Sequence, residues 1–178
     1  SALDGTTPTG SISLSEGTTP LGSCTLSGGS CTVSRSDLGA GAHPLTVRYA
    51  GDTYRTASTA SGSVTVGQAT TTTYLSAASA SIVYGGSTRF SVSVANNDSA
   101  ALPTGSVTLA AGGTQIGSCT LAGGACDITA GSTLASGSYA VVATFAGSTN
   151  FAGSASSAMT LTVSAGTSTT FGSSPTTR

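Results

Sequence analysis

The groups of this chain that could do chemistry are few: four cysteines, one histidine and six carboxylates. The cysteines fall in two copies of one pattern, Cys24-Thr25-Leu26-Ser27-Gly28-Gly29-Ser30-Cys31 and Cys119-Thr120-Leu121-Ala122-Gly123-Gly124-Ala125-Cys126. Gly-Gly is a tight-turn signal. The flanks of each pattern are therefore expected to run antiparallel and to bring Cys24 to Cys31, and Cys119 to Cys126, as local disulfides. The competing chemistry is a metal site, which would need all four sulfurs in one place and lacks the CxxC spacing such sites use. No metal and no cofactor are expected. Disulfides imply an oxidising compartment. By strand parity Cys24 goes with Leu26, Cys31 with Val33, Cys119 with Leu121 and Cys126 with Ile128, which puts the sulfurs on the inward face.

His43 is the one histidine, and no acid or nucleophile stands beside it in the sequence, so a nucleophile–base–orienter set cannot be assembled. No enzyme is expected. The acids Asp4, Glu16, Asp37, Asp52, Asp98 and Asp127 are scattered, whereas a calcium site needs several oxygen ligands together. Asn97-Asp98-Ser99 fits the Asn-x-Ser acceptor and makes Asn97 the candidate for glycosylation, with a chance match as the competing reading.

The elements that must position these groups repeat. Pro8-Thr9-Gly10-Ser11-Ile12 returns as Pro103-Thr104-Gly105-Ser106-Val107, and Val64-Thr65-Val66 as Leu161-Thr162-Val163. A period of about 96 residues is domain-sized, not the spacing of a solenoid. In the second copy Phe90, Val92 and Val94 alternate with serines, Tyr139, Val141, Ala143 and Phe145 share one face, and so do Met159, Leu161 and Val163. Such period-two runs between Gly/Ser/Asn turns read as strands, and seven or so of them fit an all-β, Greek-key, immunoglobulin-like sandwich. His43 falls at the position of Tyr139, which favours a structural role. The expected organisation is an incomplete domain over 1–67 that has the third strand onward and lacks the first two, and a complete domain over 68–164. Residues 165–178 read as the first strand of a further repeat or a donor strand. That last reading rests on Thr169, Thr170 and Phe171, because Thr167-Ser168-Thr169-Thr170-Phe171 matches Thr70-Thr71-Thr72-Thr73-Tyr74.

Charged residues are 6% of the chain, the net charge is −1 and lysine is absent. Phosphate neutralisation needs clustered cations, so nucleic acid is set aside as a partner. No apolar run approaches a membrane span, and membrane insertion is not expected. Without lysine a Lys–Asn isopeptide cross-link is impossible.

At this point the residues resemble a family, the bacterial immunoglobulin-like repeat domains of exported, cell-surface multidomain proteins. Four segments carry the resemblance: Pro8-Thr9-Gly10-Ser11-Ile12, Leu21-Gly22-Ser23-Cys24-Thr25-Leu26, Leu38-Gly39-Ala40-Gly41-Ala42-His43 and Tyr49-Ala50-Gly51-Asp52-Thr53-Tyr54. The second copy adds Phe145-Ala146-Gly147-Ser148-Thr149-Asn150-Phe151. The resemblance implies a structural, non-catalytic segment of an extracellular stalk, adhesin or fibre at the cell surface. Its partners would be other copies of the same domain, with surface glycans as a further class. The alternative is a filament or sheath subunit assembled by β-strand donation between copies. A lesser alternative is a carbohydrate-binding accessory module, which would show aromatic residues on one exposed face. Tyr54 and Phe151 are expected to recur at one place in each repeat and to anchor their loops by packing.

Overall fold

The computed structural model describes residues 7–166. The chain divides into two compact units, Ser1–Gln68 and Ala69–Arg178.

The first unit is one open antiparallel sheet. Its strands are β1 (Ser11–Glu16), β2 (Thr19–Thr25), β3 (Gly41–Tyr49) and β4 (Ser58–Val66), in the order β2-β1-β3-β4. Ile12 and Leu14 of β1, with Leu45, Val47 and Tyr49 of β3, alternate with Ser, Thr and Arg, which is what a sheet with one apolar face requires. Residues 31–36 alternate in the same way, yet they form no strand. That departs from the expectation that everything from the third strand onward is present. An alternating segment becomes a strand only where a partner supplies the ladder, and here Arg35 instead donates to the Leu21 carbonyl at 2.5 Å.

The second unit is a closed sandwich. Strands β5 (Thr71–Ala77), β7 (Thr88–Asn96) and β10 (Ala125–Ala130) make one sheet, ordered β10-β7-β5. The other runs β6 (Ser81–Val83), β13 (Met159–Ser164), β11 (Gly137–Phe145), β8 (Ser106–Ala111) and β9 (Thr114–Thr120), with β12 (Ser154–Ala155) attached to β11. The pairings are antiparallel except β6 with β13, which is parallel. The first strand thus changes sheets midway: Ala78 N–H still bonds the Arg89 carbonyl, while the Ala80 carbonyl already accepts from Thr162.

Phe90, Val92 and Val94 of β7 meet Val107 and Leu109 of β8, Val141, Ala143 and Phe145 of β11, and Leu161 and Val163 of β13. All are buried. Each large apolar side chain removed from water contributes about 1.5–3 kcal/mol before chain entropy is counted, and this layer holds the two sheets together.

The cysteine segments correct the hairpin expectation. Gly123 and Gly124 do make a tight turn with φ of 61° and 78°, a region that favours glycine, and Ala122 and Ala125 exchange both backbone bonds across it. The ladder goes no further. β9 pairs with β8 and β10 pairs with β7, so the chain turns a corner between sheets instead of folding back within one.

Disulfide corners and an open sheet face as candidate functional sites

Both corners are closed by disulfides, Cys24–Cys31 and Cys119–Cys126. Cys119 lies opposite Val107 in one sheet and Cys126 opposite Val92 in the other. In the second unit the bond therefore ties sheet to sheet. Its sulfurs are half-buried and pack against the core. Two residues before each first cysteine stands a glycine. A Cβ on Gly117 would lie 2.5 Å from Ile128 Cγ2, and one on Gly22 would lie 2.9 Å from Val33 Cγ1. The Gly-Ser-Cys motif is thus what lets the two flanks approach closely enough to be bridged.

The polar residues hold loops. His43 Nε2 sits 2.8 Å from the Gly39 carbonyl oxygen, and Nδ1 lies 3.1 Å from each Glu16 carboxylate oxygen. In the second unit the Tyr139 hydroxyl donates to the Ala135 carbonyl at 2.9 Å, the same loop bond made by a different side chain. The bond to Gly39, then the one to Glu16, raise the His43 pKa above its ordinary value. Asp52 accepts from the Thr9 amide at 3.0 Å, the Tyr54 amide at 2.9 Å and the Arg55 guanidinium at 3.2 Å. These donors, the Thr9 amide foremost, hold its carboxyl well below the usual range against the opposing effect of burial. Asp127 pairs with Arg89 and accepts from Ser91 at 2.7 Å, which lowers its pKa, Arg89 being the larger cause. Asp98 accepts from the Thr70 amide at 2.5 Å. Each of these carboxylates serves its own loop or strand pair, and among the described residues no three metal-ligating side chains come together.

Asn97 is exposed just past β7, and its amide nitrogen donates to the Thr72 hydroxyl at 3.1 Å. Thr169, Thr170 and Phe171 lie outside the described residues.

Backbone bonds correct the expectation for Tyr54. Asp52 and Arg55 exchange the bonds that Ser148 and Phe151 exchange in the second unit. Arg55, not Tyr54, therefore occupies the place of Phe151, and the Asp52–Arg55 ion pair stands where Ser148 and Phe151 stand. Tyr54 falls at the position of Asn150 and is 77% exposed, against 8% for Phe151. Among the described residues Tyr74 and Tyr84 are the other exposed aromatics. Tyr74 borders a shallow depression with Ser76, Ser91, Ser93 and Asp127.

The largest difference between the units is a face. Val47 is 36% exposed and Val64 46%, whereas their counterparts Ala143 and Leu161 are 0% exposed. Registers fix the correspondence, since His43 faces Val64 as Tyr139 faces Leu161. Exposure follows from what packs over a residue, and among the described residues of the first unit no second sheet faces these strands.

The family model for the bacterial Ig-like domain (group 3) matches residues 1–67 and 75–164. No curated protein matches the chain. Among solved structures, the fibronectin(III)-like modules of Clostridium thermocellum CbhA are 15% identical over 92% of this chain and 83% of theirs, with a TM-score of 0.40.

Proposed function

The chain belongs to the bacterial Ig-like domain (group 3) family, and from that premise we propose that it is a non-catalytic structural repeat, a stalk or fibre segment of an exported bacterial surface protein. The observation that carries this reading is the paired design. Two copies of one unit each close the same corner with a disulfide, a bond that persists in oxidising surroundings. The second unit fills its interior with apolar side chains, and its carboxylates are occupied in holding loops and strand pairs. Near absence of charge suits a spacer whose surface is solvated by hydroxyls. Other copies of the same domain are its natural neighbours.

A second reading, a filament subunit assembled by strand donation, is favoured by the exposed Val47 and Val64 of the first unit. One experiment separates the two. Native material is denatured, alkylated with and without reductant, and weighed. The stalk reading expects a mass several times 16.9 kDa, and alkylation at Cys24, Cys31, Cys119 and Cys126 only after reduction. A species near 16.9 kDa selects the filament. Four thiols alkylated without reductant would overturn export altogether.

A further inference from the structure

The outer face of the sheet β10-β7-β5 in the second unit carries an aromatic ring, Tyr74. In the register of that sheet Tyr74 stands opposite Ser93, and Ser93 opposite Ala125. Two residues along, Ser76 stands opposite Ser91, and Ser91 opposite Asp127. Alternation turns this whole group away from the core. A tyrosine beside residues so short leaves a hollow, and one of about 330 Å³ lies there, with Tyr74 at one corner and Asp127 at the other. Tyr74 is 57% exposed, whereas Phe90, Phe145 and Phe151 of the same unit are buried. Past the edge of β5 a second hollow, of about 250 Å³, is lined by Thr72, Ala155 and Ser157 and again by Tyr74. The ring is thus a ridge between two hollows.

The groups around the ring select the ligand. Asp127 is paired with Arg89 and accepts from the Ser91 hydroxyl at 2.7 Å. The two charges at this end therefore cancel, while a carboxylate, with about four lone-pair sites, keeps room for further donors. Ser76, Ser93 and Ser157 add hydroxyls, each both donor and acceptor. Such surroundings match a ligand that is itself rich in hydroxyls and carries no net charge. A sugar ring meets that description, and its C–H face suits the negative face of an aromatic. An extended peptide is the rival occupant. The line of hollows, however, crosses the strands from β10 over β7 and β5 towards β12. No strand edge runs along it, so the backbone ladder that holds an added strand is missing.

We propose that the Tyr74 face of the second unit binds a neutral polysaccharide chain of hexopyranose units. One ring stacks on Tyr74. The next on one side bonds to Ser93 and Asp127, and the next on the other side to Ser157. The site lies wholly within the second unit, so it stands for a stalk and for a filament subunit alike, and the mass measurement tests those readings separately. Because the hollows are shallow, one site binds weakly, and several repeats on one glycan chain hold it by multivalency.

The test titrates the whole chain, isotope-labelled, with cellohexaose, maltohexaose and mannohexaose in turn, and with hexagalacturonate as the acidic comparison. At least one neutral hexasaccharide is expected to move the Tyr74 ring signals and the amides of Ser91, Ser93 and Asp127, with a dissociation constant on the order of 1 mM. Tyr74→Ala should weaken that sugar at least about tenfold, and Tyr74→Phe should leave it within about twofold, because the ring and not its hydroxyl does the stacking. Ser93→Leu fills the hollow from the solvent side and should abolish binding with the melting midpoint of the unit unchanged. Three results would overturn the proposal. One is no response to any of the three neutral sugars at about 10 mM. A second is tighter binding of hexagalacturonate than of every neutral sugar, which would mean a site for anions. The third is a response that survives both Tyr74→Ala and Ser93→Leu, which would place the sugar elsewhere on the chain.

Discussion

His43 holds a proton more tightly in the folded chain than out of it, because both ring nitrogens face acceptors, the Gly39 carbonyl and the Glu16 carboxylate. A raised folded pKa gives stability that is fully present below the unfolded value of 6.5 and is lost as pH rises through the folded one. The melting midpoint of the first unit is expected to fall as pH is raised from about 6 to about 9. His43→Tyr, which restores the tyrosine of the sister unit, should flatten that slope. Asp52 acts with the opposite sign: its depressed pKa gives stability above the ordinary carboxylate range that is lost in acid. Asp52→Asn should blunt acid unfolding, as calorimetry across pH will show. The sequence placed His43 correctly at the position of Tyr139 but aligned Tyr54 with Phe151. Matching by residue type finds an aromatic near an aromatic. It cannot see that an Asp–Arg ion pair does the work of a serine and a phenylalanine on the same backbone turn.

The strands were legible wherever apolar and hydroxyl residues alternate, as along Phe90–Val94 and Tyr139–Phe145. Strand partners were not, because alternation fixes which face a residue takes and leaves open which neighbour supplies the ladder. Hence β9 and β10 read as one hairpin when they belong to different sheets, and residues 31–36 read as a strand when they have no ladder. The short β6 pairs in parallel register with β13, which no alternation of residue types announces. The close approach at the corner makes Gly117 sensitive. Gly117→Ala forces its methyl into Ile128 and should cost about 1–3 kcal/mol in denaturant unfolding. Replacing Cys119 and Cys126 together by Ala reopens a loop with a sequence separation of 7, and the chain-entropy account predicts a loss of about 2.5 kcal/mol. Both changes should act on the second unit's transition, which separates them from any effect at Cys24 and Cys31.

One repeating sequence yields, among the described residues, a single four-stranded sheet in the first unit and two facing sheets in the second, and their stabilities should differ accordingly. Amides of β7, β8 and β11, which sandwich the apolar layer, are expected to exchange most slowly, and those of β4 much faster. Phe90→Ala should cost about 3–5 kcal/mol and deprotect β8 and β11 together, as hydrogen exchange read by mass spectrometry will reveal. The parallel pairing of β6 with β13 has a mechanical consequence. These are an early and a late strand of the second unit, and they run side by side in the same direction. Pulling the two ends of the unit apart drags one strand along the other, so the bonds from Thr162 to Ala80 and from Tyr84 to Ser164 are strained in shear, all at once. A hairpin peeled from its end yields bond by bond, whereas this pair must slip as a block.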